Sequence, residues 1–172
     1  MQLGGKSVPF EAILVSDMQV GFMERLPNLP FRLTGLLEQV PPENLYFTQF
    51  HNHAESLFHT EQQWGRFHDS ADTAIVPELQ KFVQPNHAFK KYGYLLPEGL
   101  LLALGEYKSV GIVGVNTDIC VLTAAYCLWD RDIRPYVLAD YCASVKGDFY
   151  HNGALDLMNR PFGPQTIIRG LF

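Results

Sequence analysis

The chain has 172 residues, of which 47% are hydrophobic and 18% are charged, and its net charge is −5. This length and composition predict one folded domain, residues 1–172, and exclude a disordered protein. The net negative charge argues against nucleic acid and acidic membranes as partners. The three cysteines are an odd number and indicate free thiols in a reducing compartment, so we expect a cytoplasmic protein without membrane attachment.

Short hydrophobic runs alternate along the chain with segments of helical period. This alternation predicts βαβ units, a parallel sheet and right-handed crossovers. The predicted fold class is α/β, a three-layer αβα sandwich around a parallel, Rossmann-like sheet of mostly six strands. The predicted strands are residues 12–16, 45–50, 87–91, 109–115, 135–140 and 165–170, and the predicted helices begin near Leu33, Pro97, Asp118 and Asp148, the last one ending at Pro161.

Residues 51–72, between the second and third predicted strands, have neither a strand nor a helix pattern. They are polar, aromatic and rich in histidine. Long loops of this kind in compact α/β domains are often functional. The sequence therefore predicts a long loop with a possible role in function.

A carboxylate, a lysine and a thiol stand at the carboxyl ends of separate predicted strands. Asp17 follows the first strand, Lys90 and Lys91 end the third, and Cys120 follows the fourth. In an open parallel sheet, ligands bind beyond the carboxyl ends of the strands. These side chains are therefore expected to converge on one edge of the sheet.

Cys120 stands at the start of the third predicted helix. Free backbone N–H groups and the positive end of the helix dipole would stabilise a thiolate there and could hold an oxyanion. The alternative is a small buried residue that packs the helix onto the sheet. Packing is the role that we expect for Cys127, and a structural role is also favoured for Cys142.

Asp17 and one lysine could activate this thiol. The carboxylate could accept the thiol proton, and the ammonium could stabilise the thiolate. The alternative for Asp17 is a turn or helix-cap role. Because successive side chains of a strand point to opposite faces, only one of Lys90 and Lys91 can reach the site.

Three segments, in this order, resemble those of the isochorismatase-like cysteine hydrolases, a family of the nicotinamidase-related superfamily. DMQVGF, which starts at Asp17, is similar to their D-x-Q-x-x-F segment. GVNTDICVLTAA, which starts at Gly114, is similar to their G-x-x-T-D-x-C-V-x-x-T-A segment. DYCAS, which starts at Asp140, resembles the acidic stretch after their fifth strand. The resemblance extends over residues 12–170.

The resemblance implies a catalytic triad of Asp17, Lys91 and Cys120. Cys120 would attack a carbonyl carbon, Asp17 would serve as general base and then as acid, and the lysine would stabilise the thiolate and orient the aspartate. The family's lysine precedes an aromatic residue by three positions, which fits Lys91 and Tyr94; Lys90 is the alternative. The implied reaction passes through a thioester acyl-enzyme.

The same resemblance implies a cis peptide bond in the reactive segment. In the family this bond lies just before the threonine of the cysteine motif, which places it between Asn116 and Thr117 here. The turn would then aim the backbone amides of residues 117–120 at the developing oxyanion.

Metal ligands are not expected at the positions where nicotinamidases of this superfamily carry them. Those enzymes hold zinc with an Asp-x-His pair after the second strand, and the corresponding residues here are Phe50 and Asn52. His51 and His53 are offset by one position and are not expected to converge on a metal. The loop resembles that of metal-free members, so we predict no cofactor.

The sequence therefore predicts a metal-independent cysteine hydrolase that cleaves a small amide or related C–N bond. The alternatives are an isochorismatase-type vinyl-ether hydrolase, whose members often lack the cysteine, and a non-catalytic α/β protein that binds a small ligand. A small-molecule substrate and a homo-oligomer are expected from the resemblance. The predicted substrate-binding residues are Phe22, Phe50, Trp64, Tyr94, Asn116 and Thr117.

Overall fold

The computed structural model describes residues 1–68 and 71–171. Its strands and helices alternate along most of the chain. The strands are β1 (Gln2–Leu3), β2 (Lys6–Ser7), β3 (Ala12–Ser16), β4 (Leu45–Phe50), β5 (Ala88–Lys91), β6 (Ser109–Val115), β7 (Arg134–Ala143) and β8 (Ile167–Ile168). The α-helices are α1 (Val20–Met23), α2 (Leu29–Leu37), α3 (Leu57–Thr60), α4 (Pro77–Gln80), α5 (Glu98–Leu104), α6 (Leu122–Trp129) and α7 (Asp148–Phe162).

Six strands form one sheet in the order β5-β4-β3-β6-β7-β8. Every neighbouring pair in this sheet is parallel, which confirms the predicted α/β architecture. The central strands β3 and β6 are paired from Ala12 with Val110 to Ser16 with Gly114. The carboxyl ends of β3 and β6 therefore lie side by side at the same edge of the sheet.

The sheet separates two hydrophobic cores. Alternate residues of β3 enter opposite cores: Ile13 packs with the side chains of α2, and Leu14 packs with those of α5, α6 and α7. Every residue of β3 and of β6 is buried, as expected for strands that are covered on both faces. The helices on the two faces complete the three-layer sandwich. Within the described residues, no helix is long and hydrophobic enough to cross a membrane.

Several predicted elements differ from the structure at their ends. Helix α2 begins at Leu29 and not near Leu33, β7 extends over Arg134–Ala143 instead of the predicted 135–140, and β8 covers only Ile167–Ile168 of the predicted 165–170. Helix α7 does not end at Pro161 but includes it and reaches Phe162. The helix tolerates this proline in its last turn because Met158 and Phe162 are both buried in the core beside it. The irregular segment 51–72 contains the short helix α3, whose first turn is capped by Ser56, with the Ser56 hydroxyl accepting from the His59 amide.

Candidate active site

Asp17 is the first residue after β3 and is completely buried. Its backbone lies in the left-handed region with φ +48°, a conformation that aspartate tolerates better than most residues. The Asp17 amide donates to Thr48 Oγ1 at 3.1 Å, and the Thr48 hydroxyl donates to Asp17 Oδ1 at 2.7 Å. One hydroxyl on β4 thus fixes both the backbone and the carboxylate of Asp17.

Lys91, the last residue of β5, is the lysine that reaches Asp17. Its Nζ lies 2.8 Å from Asp17 Oδ2, and the two side chains are 2% and 1% exposed. Burial by itself would lower the pKa of Lys91, but the negative charge of Asp17, with a smaller contribution from Cys120, outweighs it and raises that pKa above its ordinary value. Lys90 is exposed to solvent, as strand alternation requires.

Gly114 allows the ends of β3 and β6 to approach each other. Its φ is +109°, and a Cβ atom at this position would lie 2.2 Å from the Ser16 carbonyl oxygen. The Ser16 hydroxyl donates to the Val115 carbonyl oxygen at 3.1 Å and joins the two strand ends. Only glycine fits this contact, so Gly114 brings the segment that carries Cys120 close to Asp17.

The reactive segment after β6 differs in two details from the sequence prediction. The cis peptide bond joins Val115 and Asn116, so its predicted position between Asn116 and Thr117 is wrong by one residue. Residues Thr117–Val121 form a π-helical turn before α6, so Cys120 does not lie in the first turn of an α-helix. The Asn116 side chain holds this turn in place, because its Oδ1 accepts from the Val145 amide at 2.9 Å.

Cys120 lines the same cavity as Asp17, and the charges of Asp17 and Lys91 both act on the pKa of its thiol. Burial, followed by the negative charge of Asp17, raises the pKa of Cys120 to about 12, although the Lys91 ammonium acts in the opposite direction. The sequence predicts a stabilised thiolate, whereas the structure favours a protonated thiol at neutral pH. The reason is that Asp17 and Lys91 neutralise each other, which leaves burial as the deciding influence.

A cavity of about 470 Å³ opens above this thiol. This volume is typical of a pocket for a small organic molecule. Thr117 is not among the lining residues, since it is completely buried and its hydroxyl contacts His151 Nδ1 at 2.8 Å. Of the residues predicted to bind substrate, those that line the cavity are Phe22, Phe50, Trp64, Tyr94 and Asn116.

Aromatic side chains form the walls of the cavity. Phe50 stacks on Trp64 with ring centroids 5.6 Å apart, and Phe58 meets Tyr94 edge-on at 5.1 Å. Phe67, which also lines the cavity, stacks on Phe22 at 4.4 Å. Phe58 and Phe67 lie in the irregular segment 51–72, where the density of aromatic residues was the only sequence signal for them. These walls favour a flat, apolar group in the substrate.

The polar residues around this wall have structural roles. Asn52 Nδ2 donates to the carbonyl oxygens of Trp64 at 2.7 Å and Arg66 at 3.1 Å. Gln19 Nε2 donates to the carbonyl oxygens of Phe50 at 2.9 Å and Thr73 at 2.8 Å. Sequence reasoning assigned no role to Gln19, because its partners are distant in the chain.

The positions that correspond to nicotinamidase metal ligands therefore serve other purposes. Phe50 is a wall of the cavity, and Asn52 anchors the loop. Neither residue fits a zinc site, since Phe50 has no donor atom and Asn52 Oδ1 already accepts from the His53 amide and the Ser56 hydroxyl. Across residues 1–68 and 71–171, no three His, Cys, Asp or Glu residues are grouped so that they could hold a metal ion.

Comparisons with known proteins agree with this architecture. The isochorismatase domain family matches residues 11–168 of the chain. The pyrazinamidase/nicotinamidase of Streptococcus mutans is 22% identical, with a TM-score of 0.74 over 91% of this chain and 99% of that one. An isochorismatase-like hydrolase from Alkaliphilus metalliredigens is 20% identical, with a TM-score of 0.71 over 92% of this chain and 93% of that one.

A third similar structure is the N-carbamoylsarcosine amidase of Thermoplasma acidophilum. It is 17% identical, with a TM-score of 0.71 over 92% of this chain and 94% of that one. None of the curated proteins matches the chain. At these sequence identities the comparison shows that the chain has the same fold as the three structures.

Proposed function

The chain belongs to the isochorismatase domain family, and on that premise we propose that it is a cysteine hydrolase that cleaves the C–N bond of a small amide. The observation that carries this proposal is the position of the Cys120 thiol beside the buried Asp17–Lys91 ion pair, at a cavity with aromatic walls. A nucleophile, a base and a cation at one site are the groups that acyl transfer requires.

The first half of the reaction transfers the acyl group to sulfur. The Cys120 thiol gives its proton to the Asp17 carboxylate, and the sulfur attacks the amide carbon. Lys91 stabilises the thiolate as it forms, because its ammonium is no longer neutralised once Asp17 is protonated. Asp17 then gives this proton to the leaving nitrogen, the C–N bond breaks, and ammonia or an amine departs from a thioester.

Backbone amides of the Thr117–Val121 turn stabilise the negative oxygen of the tetrahedral intermediate. The amides of Ile119 and Val121 already donate to the Asn116 carbonyl oxygen. The oxyanion role therefore falls to the other amides of the turn, including that of Cys120 itself.

The second half of the reaction releases the acid. Asp17 accepts a proton from a water molecule, whose oxygen attacks the thioester carbon. The carbon–sulfur bond breaks, Cys120 recovers its proton, and the carboxylic acid leaves. Every proton transfer in this cycle uses Asp17, and no step requires a metal ion or an organic cofactor.

Ammonia release from a panel of small aromatic amides and carbamates tests the proposal. The active amide should add its acyl mass to the protein after acid quenching, and Cys120→Ser should abolish both the added mass and the release of ammonia. Cys127→Ser is the matched control, because Cys127 packs at the edge of a hydrophobic core. Turnover of a vinyl ether that survives in Cys120→Ser would establish the vinyl-ether hydrolase instead. Tight binding of an amide without turnover or acyl adduct would establish a ligand-binding protein.

A further inference from the structure

Some of the charged side chains at the cavity form ion pairs, and others do not. Arg66 is engaged on both sides, because its Nε lies 2.9 Å from Asp72 Oδ2 and its Nη2 lies 3.1 Å from Glu24 Oε1. Arg25 and Lys146 also line the cavity, and in the described part of the chain neither forms an ion pair. Arg25 and Lys146 are therefore two cations at the mouth of the cavity that form no ion pair with a carboxylate of the described residues.

These two cations come from the segments that follow the two neighbours of β6 in the sheet. Arg25 follows α1, which follows β3, and Lys146 follows β7. In the sheet, β3 and β7 are the two neighbours of β6. Both side chains are exposed, so they keep their hydration and are free to move toward a ligand. The net charge of the whole chain is −5, so this positive mouth is a local feature.

We propose that the substrate is a flat amide that also carries an anionic group, such as a carboxylate, which Arg25 and Lys146 bind at the mouth of the cavity. This inference rests on the proposed amide hydrolysis and names the class of substrate. A guanidinium binds a carboxylate through two parallel hydrogen bonds, and an ammonium adds a second positive charge.

The arrangement of charge in the cavity also fixes the orientation of this substrate. An anion placed at the floor would meet the Asp17 carboxylate and lose its hydration. At the mouth the anion stays partly hydrated and meets two cations that form no ion pair among the described residues, while the Glu24 carboxylate at the same cavity is held by Arg66. The neutral amide is then directed toward Cys120, and the ring lies against the aromatic wall to which Phe22 and Trp64 belong.

Two amides of similar shape, one anionic and one neutral, test the contribution of the negative charge to substrate recognition. We compare 3-carbamoylbenzoate with 3-nitrobenzamide, in which a neutral planar nitro group replaces the carboxylate. The ratio of the two kcat/KM values should fall about tenfold in the double variant Arg25→Gln, Lys146→Gln, as expected for the loss of charge-assisted hydrogen bonds. The electronic effect of the nitro group is the same in both proteins and cancels from this comparison.

Lys108→Gln is the matched control for the change in net charge. Lys108 is exposed and precedes β6, so it lies at the opposite edge of the sheet from the cavity. This variant should keep the wild-type ratio. Raising the salt concentration from 20 to 500 mM should weaken the preference for 3-carbamoylbenzoate in the wild type and not in the double variant.

Direct binding to Cys120→Ser separates a failure of this inference from a failure of the proposed function. Calorimetric titration should show that 3-carbamoylbenzoate binds more tightly than 3-nitrobenzamide, and that the double substitution removes the difference. Such binding without any ammonia release in the wild type would support the anion site and refute hydrolysis of these amides. Equal binding of the two compounds, or a preference that survives the double substitution, would refute the anion site even if both amides are hydrolysed.

Discussion

At the scale of single residues, the site combines one thiol with two opposite charges. The Asp17–Lys91 pair has no net charge, and burial keeps Cys120 protonated in the resting protein. Cys120 is partly exposed at the cavity, but a protonated thiol reacts slowly with oxidants and alkylating agents. In the proposed reaction the thiolate forms only when Asp17 accepts the proton, which would limit side reactions of the nucleophile.

Asp17→Asn is predicted to have opposite effects on alkylation and on hydrolysis. Removing the carboxylate leaves the Lys91 ammonium alone beside Cys120, so the pKa of the thiol falls and more thiolate is present at pH 7. Alkylation of Cys120 by iodoacetamide should therefore become faster than in the wild type. Ammonia release should fall by roughly a thousandfold, because the general base is lost.

The measurement is the alkylation rate of the Cys120 peptide, followed by mass spectrometry from pH 6 to 10. Asp130→Asn removes an exposed carboxylate at the end of α6 and should behave as the wild type does. Slower alkylation of Cys120 in Asp17→Asn would mean that the carboxylate lowers the pKa of the thiol, contrary to the electrostatic argument.

At the scale of elements, the strands that are buried on both faces could be predicted from sequence to the residue. Residues 12–16, 45–50 and 109–115 are nearly continuous hydrophobic runs, and the structure has strands of these bounds. The edge strand β8 is shorter than the predicted 165–170, because only Val137 and Leu138 of β7 pair with it. The length of an edge strand depends on its neighbour, which the local sequence does not contain.

The candidate site likewise contains residues that the sequence could indicate and residues that it could not. The strand pattern places Asp17, the two lysines and Cys120 at strand ends, whereas the choice of Lys91 and the proposed roles come from the family resemblance. Thr48, which positions Asp17, lies inside a strand and could not be distinguished from a core residue by sequence pattern. The walls contributed by residues 51–68 depend on hydrogen bonds from Asn52 to distant carbonyl oxygens, which no local pattern reveals.

Gly114→Ala should destabilise the protein more than a typical substitution, because it affects the junction between β3 and β6. The added Cβ would lie 2.2 Å from the Ser16 carbonyl oxygen, and the φ of +109° is unfavourable for alanine. We expect a loss of at least about 3 kcal/mol in the free energy of unfolding, measured by urea denaturation.

Gly153→Ala is the matched control for this prediction. Gly153 lies in α7, and a Cβ there would meet no atom within 4 Å. Because alanine is the better helix former, this variant should gain about 0.5–1 kcal/mol. Equal stabilities of the two variants would show that β3 and β6 can separate at this point without cost.

At the scale of the whole molecule, several ionisable groups at the central sheet have raised pKa values, so they lose their protons only at alkaline pH. Burial raises the pKa of Cys142 to about 12, and this thiol is 4% exposed between β6 and the helices that cover it. The pKa of Cys120 is also raised to about 12 by burial and by the charge of Asp17. The pKa of Lys91 is raised as well, since the charge of Asp17, with a smaller contribution from Cys120, outweighs the effect of its burial.

These shifts predict that the protein loses stability at alkaline pH. A thiol in the unfolded chain ionises near pH 8.5, whereas each buried thiol stays protonated up to about pH 12. Between these values the unfolded state releases protons that the folded state retains, so the free energy of unfolding decreases as pH rises. Each such thiol contributes a slope of about 1.4 kcal/mol per pH unit in this window and none below pH 8.

Cys142→Ala should therefore reduce the alkaline slope, because it removes one of these groups without touching the triad. Between pH 9 and 10.5 the wild type should lose about 2 kcal/mol more than the variant, measured by urea denaturation at both pH values. The loss of the sulfur atom also lowers the free energy of unfolding of Cys142→Ala, but this decrease is the same at every pH and does not affect the slope. Parallel pH dependences of the two proteins would show that Cys142 ionises equally in the folded and unfolded states, and that the core around β6 and β7 admits enough water to stabilise a thiolate.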